Sequence, residues 1–361
     1  MERRGMAEGA TLIARERGTQ AAGFEEARAR FAPTPRPEPG VTEDRRVSGE
    51  TWVVILAGGE GQRLRPFTTR EDGTAVPKQF CRFRDERSLL AATLDRALAV
   101  APPERVLVMV MEAHRAWWER ELERLPAGNV LPQPENRGTA VAILQSLVEI
   151  HCRDRNPRLV VMPSDADVDD EPVLLAAIEF ARKLAGSYPR DIVLLGMTPS
   201  HIDCEYGLIV PSAARAGTTR RVRSFVEKPP LGVARRLTQQ GAMWNSFIFA
   251  CAGWALYELF EDALPSVARA YLSQLARGRG GDPRLRAVGE MPVRDFGHDV
   301  LERRTERLRL VAVPECGWTD LGTPARLASW LERHREAVFW REHRLPRLNG
   351  SFGEGGSMRA C

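Results

Sequence analysis

The sequence predicts an α/β fold, with a mixed, mainly parallel sheet and helices flanking it. Three observations carry that prediction. The run Thr51–Ala57 is apolar and flanked by Gly49 and Gly58, the pattern of a strand buried on both faces. Strand-like and helix-like stretches then alternate to about residue 195, as when helices connect parallel strands. A glycine-rich turn follows the first strand directly, and open parallel sheets bind ligands beyond the C-terminal ends of their strands.

Residues 1–50 read as an N-terminal extension rich in Arg, Glu and Ala, with Pro33, Pro35, Pro37 and Pro39 at alternate positions. Alternating prolines favour an extended, unpacked chain, so disorder is expected there, with room for a short helix near Ala10–Arg30. Order begins at Thr51. Ser88–Val100 reads as a helix with Leu89, Leu90, Leu94, Ala97 and Leu98 on one face. Arg105–Met111 is a strand, Ala113–Leu125 a charged amphipathic helix, and Thr139–His151 a helix. Leu159–Met162 and Ile192–Leu195 are short buried strands with the helix Glu171–Ala185 between them.

Past residue 200 the spacing changes. Arg220–Glu227 and Asn245–Cys251 read as strands of a mixed region covering the mouth of the sheet. Helices return at Trp254–Phe260 and Ser266–Gly278, and Leu308–Val313 is a late strand. Pro324–Trp340 is a helix that turns Leu327, Trp330, Leu331 and Val338 inward. The ordered domain is expected over 51–345, and 346–361, with Gly350, Gly353, Gly355 and Gly356, as a flexible tail.

With 361 residues, 43% hydrophobic and 28% charged, the composition is that of a soluble globular protein. Fifty-two basic residues nearly balance 48 acidic ones, a net charge of +4, which gives no general case for a nucleic-acid partner. No apolar run is long enough to span a membrane, and the N-terminus lacks the apolar core of a secretory signal. The cysteines Cys81, Cys152, Cys204, Cys251, Cys316 and Cys361 form no C-x-x-C pair, which argues against a zinc site and a disulfide framework. A reducing, cytoplasmic location is expected, with most of these cysteines acting as small buried hydrophobes.

The positive charge is almost all arginine; the only lysines are Lys78, Lys183 and Lys228. Two of them lie in short stretches suited to phosphate chemistry, Pro77-Lys78-Gln79-Phe80 and Phe225-Val226-Glu227-Lys228-Pro229. Where a sequence otherwise writes Arg, a retained Lys marks a need for a compact, strongly hydrated charge, although chance codon survival gives the same pattern. Upstream, Leu56-Ala57-Gly58-Gly59-Glu60-Gly61-Gln62-Arg63 follows the first strand. Its glycines allow close backbone approach to a phosphate, and successive N–H groups can form an anion nest. The spacing is neither that of the dinucleotide fingerprint nor that of the P-loop.

Together with Pro77-Lys78-Gln79-Phe80, the segment Leu56–Thr68 resembles the opening signature of the sugar-phosphate nucleotidyltransferases, and within them the bacterial mannose-1-phosphate guanylyltransferases. Gln133-Pro-Glu-Asn-Arg137-Gly138-Thr139-Ala resembles the family's E-P-x-x-R-N-T-A, and Pro163-Ser-Asp165 its P-x-D-H. Glu205-Tyr-Gly207-Leu-Ile resembles G-Y-G-Y-I, and Phe225–Pro229 is F-V-E-K-P unchanged. Trp244-Asn245-Ser246 with Phe249 resembles W-N-S-G-x-F, and Trp318-Thr-Asp320-Leu-Gly322 resembles W-x-D-x-G. The likeness runs from about 52 to 330 and implies a Rossmann-like domain of the nucleotide-diphospho-sugar transferase type.

By resemblance, GTP and mannose 1-phosphate would be the substrates and Mg²⁺ the cofactor, held by Asp165 and Asp320. Arg63 would hold the triphosphate, and Lys78 would contact the phosphates where the bond is exchanged. Lys228 would take the sugar phosphate, with Glu227, Asn245 and the Gly207 backbone on the sugar hydroxyls. The base would sit against Ala57, Gly58 and the stretch Gln133–Thr139, including Arg137 and Gly138, with Gly59 and Gly61 completing the phosphate turn. Longer family members carry a further isomerase domain, which this chain is expected to lack. A homodimer is left open. For a single loop aspartate the ordinary role is a turn or a helix cap, and Asp167, Asp169 and Asp170 are assigned that role.

The departures are Gln133 for Glu, Gly138 for Asn, Ala166 for His, Glu205 for Gly and Phe247 for Gly. They cluster at base and sugar contacts, so substrate identity is less fixed than the reaction. Glucose 1-phosphate with dTTP or UTP is the nearest rival pair. A nucleotide-sugar-binding regulator without catalysis is the rival from another class, and the retained Arg63, Lys78, Asp165 and Asp320 argue against it.

Overall fold

The run Thr51–Ala57 forms strand β1 of a computed structural model that describes residues 49–70, 72–216, 219–277 and 291–334. Its side chains alternate between two cores. Val53, Ile55 and Ala57 pack on one face of the sheet and Trp52 and Val54 on the other, which is why the run is apolar at nearly every position.

The other strands are β2 (Val106–Met111), β3 (Val130–Gln133), β4 (Arg158–Pro163), β5 (Ile192–Met197), β6 (Leu208–Ala216), β7 (Thr219–Val226), β8 (Met243–Ala252) and β9 (Leu308–Val313). They form one sheet in the order β3-β2-β1-β4-β8-β5-β9-β7-β6. The pairings make β7 and β8 run against the other seven, so the sheet is mixed and mainly parallel.

One expectation is corrected. The Asn245–Cys251 segment does not cover the mouth of the sheet. As β8 it lies inside the sheet, antiparallel between β4 and β5, with Ala250 opposite both Val160 and Val193. The physical reason is its near-continuous burial, since a covering strand would keep one wet face. The Arg220–Glu227 segment is likewise part of the sheet, as β7.

Strands β3 and β6 escaped the pattern reading. β3 is a four-residue edge strand containing Pro132, and β6 contains Pro211 at a break in its pairing with β7, both positions where a sheet admits proline. The helix Leu231–Gln239 was also missed.

Within the described residues the predicted helices stand, some with altered ends. Leu89–Leu98 starts at Ser88, whose side chain accepts from the Ala91 N–H at 3.0 Å. Of the two candidate caps for the helix Glu171–Ser187, Asp170 takes the role, accepting from the Val173 N–H at 3.2 Å. The helix expected over 113–125 shortens to Arg115–Glu121 behind a 3₁₀ turn at Glu112–His114. The last helix is Pro324–Arg333, capped by Thr323, and packs Leu327, Trp330 and Leu331 inward. The N-terminal extension, its short helix, Val338, Trp340 and the C-terminal tail lie outside the described residues.

Among the described residues, no helix is long and apolar enough to cross a membrane. Cys81, Cys251 and Cys316 are buried free thiols and Cys152 is an exposed one.

Candidate active site

A cavity of about 370 Å³ opens beyond the C-terminal ends of β1 and β4. On its floor the chain leaves β1 through Ala57 and the glycine turn. The Gln79 side-chain N–H donates to the carbonyls of Ala57 and Gly59 at 3.0 and 2.9 Å, holding the turn against the segment that bears Lys78. Gly61 has φ +61°, and a Cβ there would come within 2.7 Å of the Lys78 Cβ, so the lysine packs where only glycine leaves room.

Lys78 joins the two distant aspartates. Its Nζ donates to Asp165 Oδ2 at 2.9 Å and also to the main-chain carbonyl of Asp320. The aspartates meet because their loops are zipped together two and one residues away. Asp167 N–H donates to the Thr319 carbonyl at 2.8 Å, and Thr319 N–H returns a bond to Asp167 at 3.0 Å. The carbonyl of Cys316 accepts from both Asp169 and Asp170 N–H at 3.0 Å. Asp167 does more than shape a turn: it accepts from Arg84 and, at 2.6 Å, from the Trp330 indole, anchoring the last helix under the site.

Asp320 is held by three donors on Oδ1: the Arg326 guanidinium, the Tyr206 hydroxyl at 3.0 Å and the Gly322 N–H at 2.9 Å. Burial pushes its carboxyl up, but Lys78 and Arg326 outweigh that and hold it below the ordinary carboxylate range. Asp165 and Asp320 both line the cavity, each with one carboxylate oxygen already engaged. Among the described residues no cluster of three or more His, Cys, Asp or Glu presents itself as a metal cage. Two carboxyl groups in one cavity nevertheless fit a small hard cation, which takes oxygen ligands.

Arg63 reaches over the cavity to an ion pair with Glu205, one of the departures from the family pattern, and both side chains are substantially exposed. Glu227, Lys228, Gly207 and Asn245 line the cavity together. The Asn245 N–H donates to the Gly207 carbonyl at 2.8 Å, and a Cβ on Gly207 would come within 2.6 Å of Glu227 Oε2. Burial raises the Glu227 carboxyl to about 7, with Asp295 and Glu302 adding to the rise and Lys228 and His298 opposing it.

Among the described residues, three besides glycine have positive φ: Lys228 (44°), Phe247 (61°) and Leu321 (45°). Two of them line the cavity and the third follows Asp320, so the strained backbone clusters at the site.

On the opposite wall, Gln133 donates its amide N–H to Gln145 Oε1 at 2.9 Å, and Asn136 donates to the Gly58 carbonyl at 3.3 Å. Gly138 has φ +86°, and a Cβ there would collide with the Arg294 carbonyl. Thr139 begins the helix Thr139–His151.

Of the residues singled out from the sequence, Gly58, Gly59, Arg63, Gln133, Gly138, Thr139, Asp165, Gly207, Glu227, Lys228, Asn245 and Asp320 line the cavity. Ala57, Gly61 and Lys78 stand behind its wall as supports. Arg137 is not among the lining residues; its side chain pairs with Glu135 and its carbonyl accepts from the Arg294 N–H at 3.0 Å. Sequence reasoning missed Asn136, Tyr206 and Asp295 in the lining, and Arg326 behind Asp320. Asn136 and Tyr206 stood inside recognised motifs; Asp295 stood in none, and a polar residue beside Phe296-Gly297 gave no periodic signal.

The nucleotidyl transferase family model matches residues 52–336 of the chain. Over 278 residues the chain is 31% identical to a xanthan biosynthesis protein of Xanthomonas campestris, covering 75% of this chain and 57% of that protein. It is 32% identical over 202 residues to a mannose-1-phosphate guanylyltransferase of Salmonella typhimurium, covering 54% of this chain and 40% of that one. The chain thus spans about half the length of the curated relatives it matches. The crystal structure of a protein described as mannose-1-phosphate geranyltransferase from Thermus thermophilus superposes with a TM-score of 0.66 at 31% identity, covering 76% of each chain.

Proposed function

Since the chain belongs to the nucleotidyl transferase family, we propose that it transfers a guanylyl group from GTP to mannose 1-phosphate, giving GDP-mannose and pyrophosphate. The observation that carries this reading is the convergence of Asp165 and Asp320 in one cavity beside the glycine turn, with Lys78 bonded to both residues from behind its wall. An oxygen of the sugar phosphate attacks the α-phosphorus in line and pyrophosphate leaves. The protein need form no covalent bond, so positioning and charge neutralisation carry the catalysis. Gly58 and Gly59 offer backbone to the triphosphate, and Arg63 swings from Glu205 onto the phosphates. Lys78, fixed by its two oxygen partners behind the cavity wall, supplies a buried positive charge at the place where the phosphates exchange.

Asp165 and Asp320 would hold Mg²⁺, which would supply charge neutralisation to the phosphates. On the sugar side Lys228 pairs with the incoming phosphate, while Glu227 and Asn245 accept and donate hydrogen bonds to hydroxyls. The wall from Gln133 to Thr139 receives the base.

The names of relatives support the guanylyl and mannosyl choices. The departures at Gln133, Glu205 and Phe247 favour testing glucose 1-phosphate with dTTP or UTP beside them. A panel of nucleoside triphosphates against sugar 1-phosphates, read by pyrophosphate release in Mg²⁺, decides. The expected outcome is the highest kcat/KM for GTP with mannose 1-phosphate. Equal rates with all triphosphates remove the guanylyl assignment, and binding without turnover for every pair leaves a regulator.

A further inference from the structure

The segment Arg294–Gly297 spans from the base-side wall to the sugar-side wall. Its Arg294 N–H donates to the Arg137 carbonyl at 3.0 Å, and its Arg294 carbonyl accepts from the Ala140 N–H at 3.1 Å. The Phe296 N–H donates to Thr139 Oγ1 at 2.8 Å. On the other side a Cβ at Gly297 would collide with Glu227 Oε2 and lie 3.2 Å from Asp295 Oδ1. The two carboxyl groups therefore converge on one point, and the glycine makes the space they share. Asp295 lines the cavity alongside Glu227, Gly207 and Asn245.

The Asp295 carboxylate is aimed by the protein on both oxygens. Oδ1 accepts from the His298 N–H at 2.9 Å, and Oδ2 accepts from the Thr139 hydroxyl at 3.3 Å. A carboxylate has about four acceptor sites, so these two bonds orient the group and leave acceptor capacity for a ligand. No arginine or lysine is paired with it among the described residues. Glu227 has Lys228 at 3.8 Å, but Asp295 turns its spare acceptor capacity to the cavity, which is matched by a ligand rich in neutral donors, the chemistry of a sugar's hydroxyls.

We propose that Asp295 is a second sugar-contacting carboxylate, which accepts a hydrogen bond from a hexose hydroxyl beside the one taken by Glu227. This rests on the reading of the cavity as a nucleotide and sugar-phosphate site. Because the same segment is bonded to Arg137, Thr139 and Ala140, Asp295 is aimed by the base-side wall while touching the sugar. Specificity for the sugar is then set by two acidic positions from different elements, one after β7 and one before the π-turn Gly297–Leu301.

The test compares wild type with Asp295→Asn and Asp295→Glu, using GTP, mannose 1-phosphate and its monodeoxy analogues, with thermal melts to verify folding. Loss of a hydrogen bond to a charged acceptor is expected to raise the KM for mannose 1-phosphate about 10- to 100-fold in Asp295→Asn, with the KM for GTP within about twofold. The penalty should vanish for the one analogue that lacks the contacted hydroxyl. Asp295→Glu, which keeps the charge and moves the carboxyl, should show the same selective loss. An unchanged sugar KM, or a penalty equal for every deoxy analogue, overturns the proposal and leaves Asp295 a structural brace. Wild type that turns over no pair at all defeats the functional reading instead, so the two failures are distinct.

Discussion

Lys78 is 4% exposed and has an aspartate carboxylate on one side and a backbone carbonyl on the other. A tetrahedral ammonium can bond both and still offer a third proton, which the planar fork of arginine cannot do in the same space. That is the physical content of a lysine kept in an arginine-dominated sequence. The carboxylates beside it carry the first prediction. Asp165→Asn and Asp320→Asn should each lower kcat on the order of 100-fold or more, with Asp320→Asn also melting below wild type because it removes one of the carboxylates paired with buried Arg326. Near-normal turnover in both, measured by pyrophosphate release, would place the chemistry elsewhere. Glu227 carries the second. Its folded carboxyl titrates at about 7 against an ordinary 4.5. The folded chain therefore holds that proton more tightly, and between those values stability falls as pH rises, flattening above the upper one. Glu227→Gln removes this penalty and should make the ligand-free protein about 1–3 kcal/mol less sensitive to a pH change from 5 to 8 in urea titrations.

At the scale of elements, the site is made by loops that grip one another. The Asp167–Thr319 bridge brings the β4 and β9 loops together, and the Arg294–Phe296 segment is stitched to the start of the helix Thr139–His151. Gly138→Ala tests that second seam. The new Cβ meets Arg294 backbone at a φ that side chains rarely adopt, so a loss of about 1–3 kcal/mol in stability is expected, with KM raised for both substrates. An unaffected variant in denaturation and kinetics would show that the seam yields freely. Legibility also divides at this scale. β1 and β9 were plain because each is an apolar run that the fold buries at nearly every position. β3 and β6 were hidden by prolines that the sheet tolerates at an edge and at a pairing break. Asp165 and Asp320 were legible as cavity residues through their motifs, whereas Asp295 and Arg326 act through contacts between segments far apart in sequence, which no local pattern reports.

At the scale of the molecule, one sheet with a core on each face supports one cavity at the strand ends. The extension before residue 49 is predicted to be separable from that cavity. A chain starting at residue 49 should keep kcat and KM within about twofold, and a drop in activity or soluble yield would show that the extension packs on the domain.

Placing β8 between β4 and β5 has a consequence for synthesis on the ribosome. The central strand is translated after both of its neighbours, so until Ala252 has emerged β4 keeps an unpaired inner edge and β5, whose partners are β8 and β9, has no strand to pair with. Unpaired ladders of that kind attract stray strands. A chain stopped near residue 240 should therefore require chaperone capture, and stalled intermediates of that length should be the aggregation-prone species in the life of this protein.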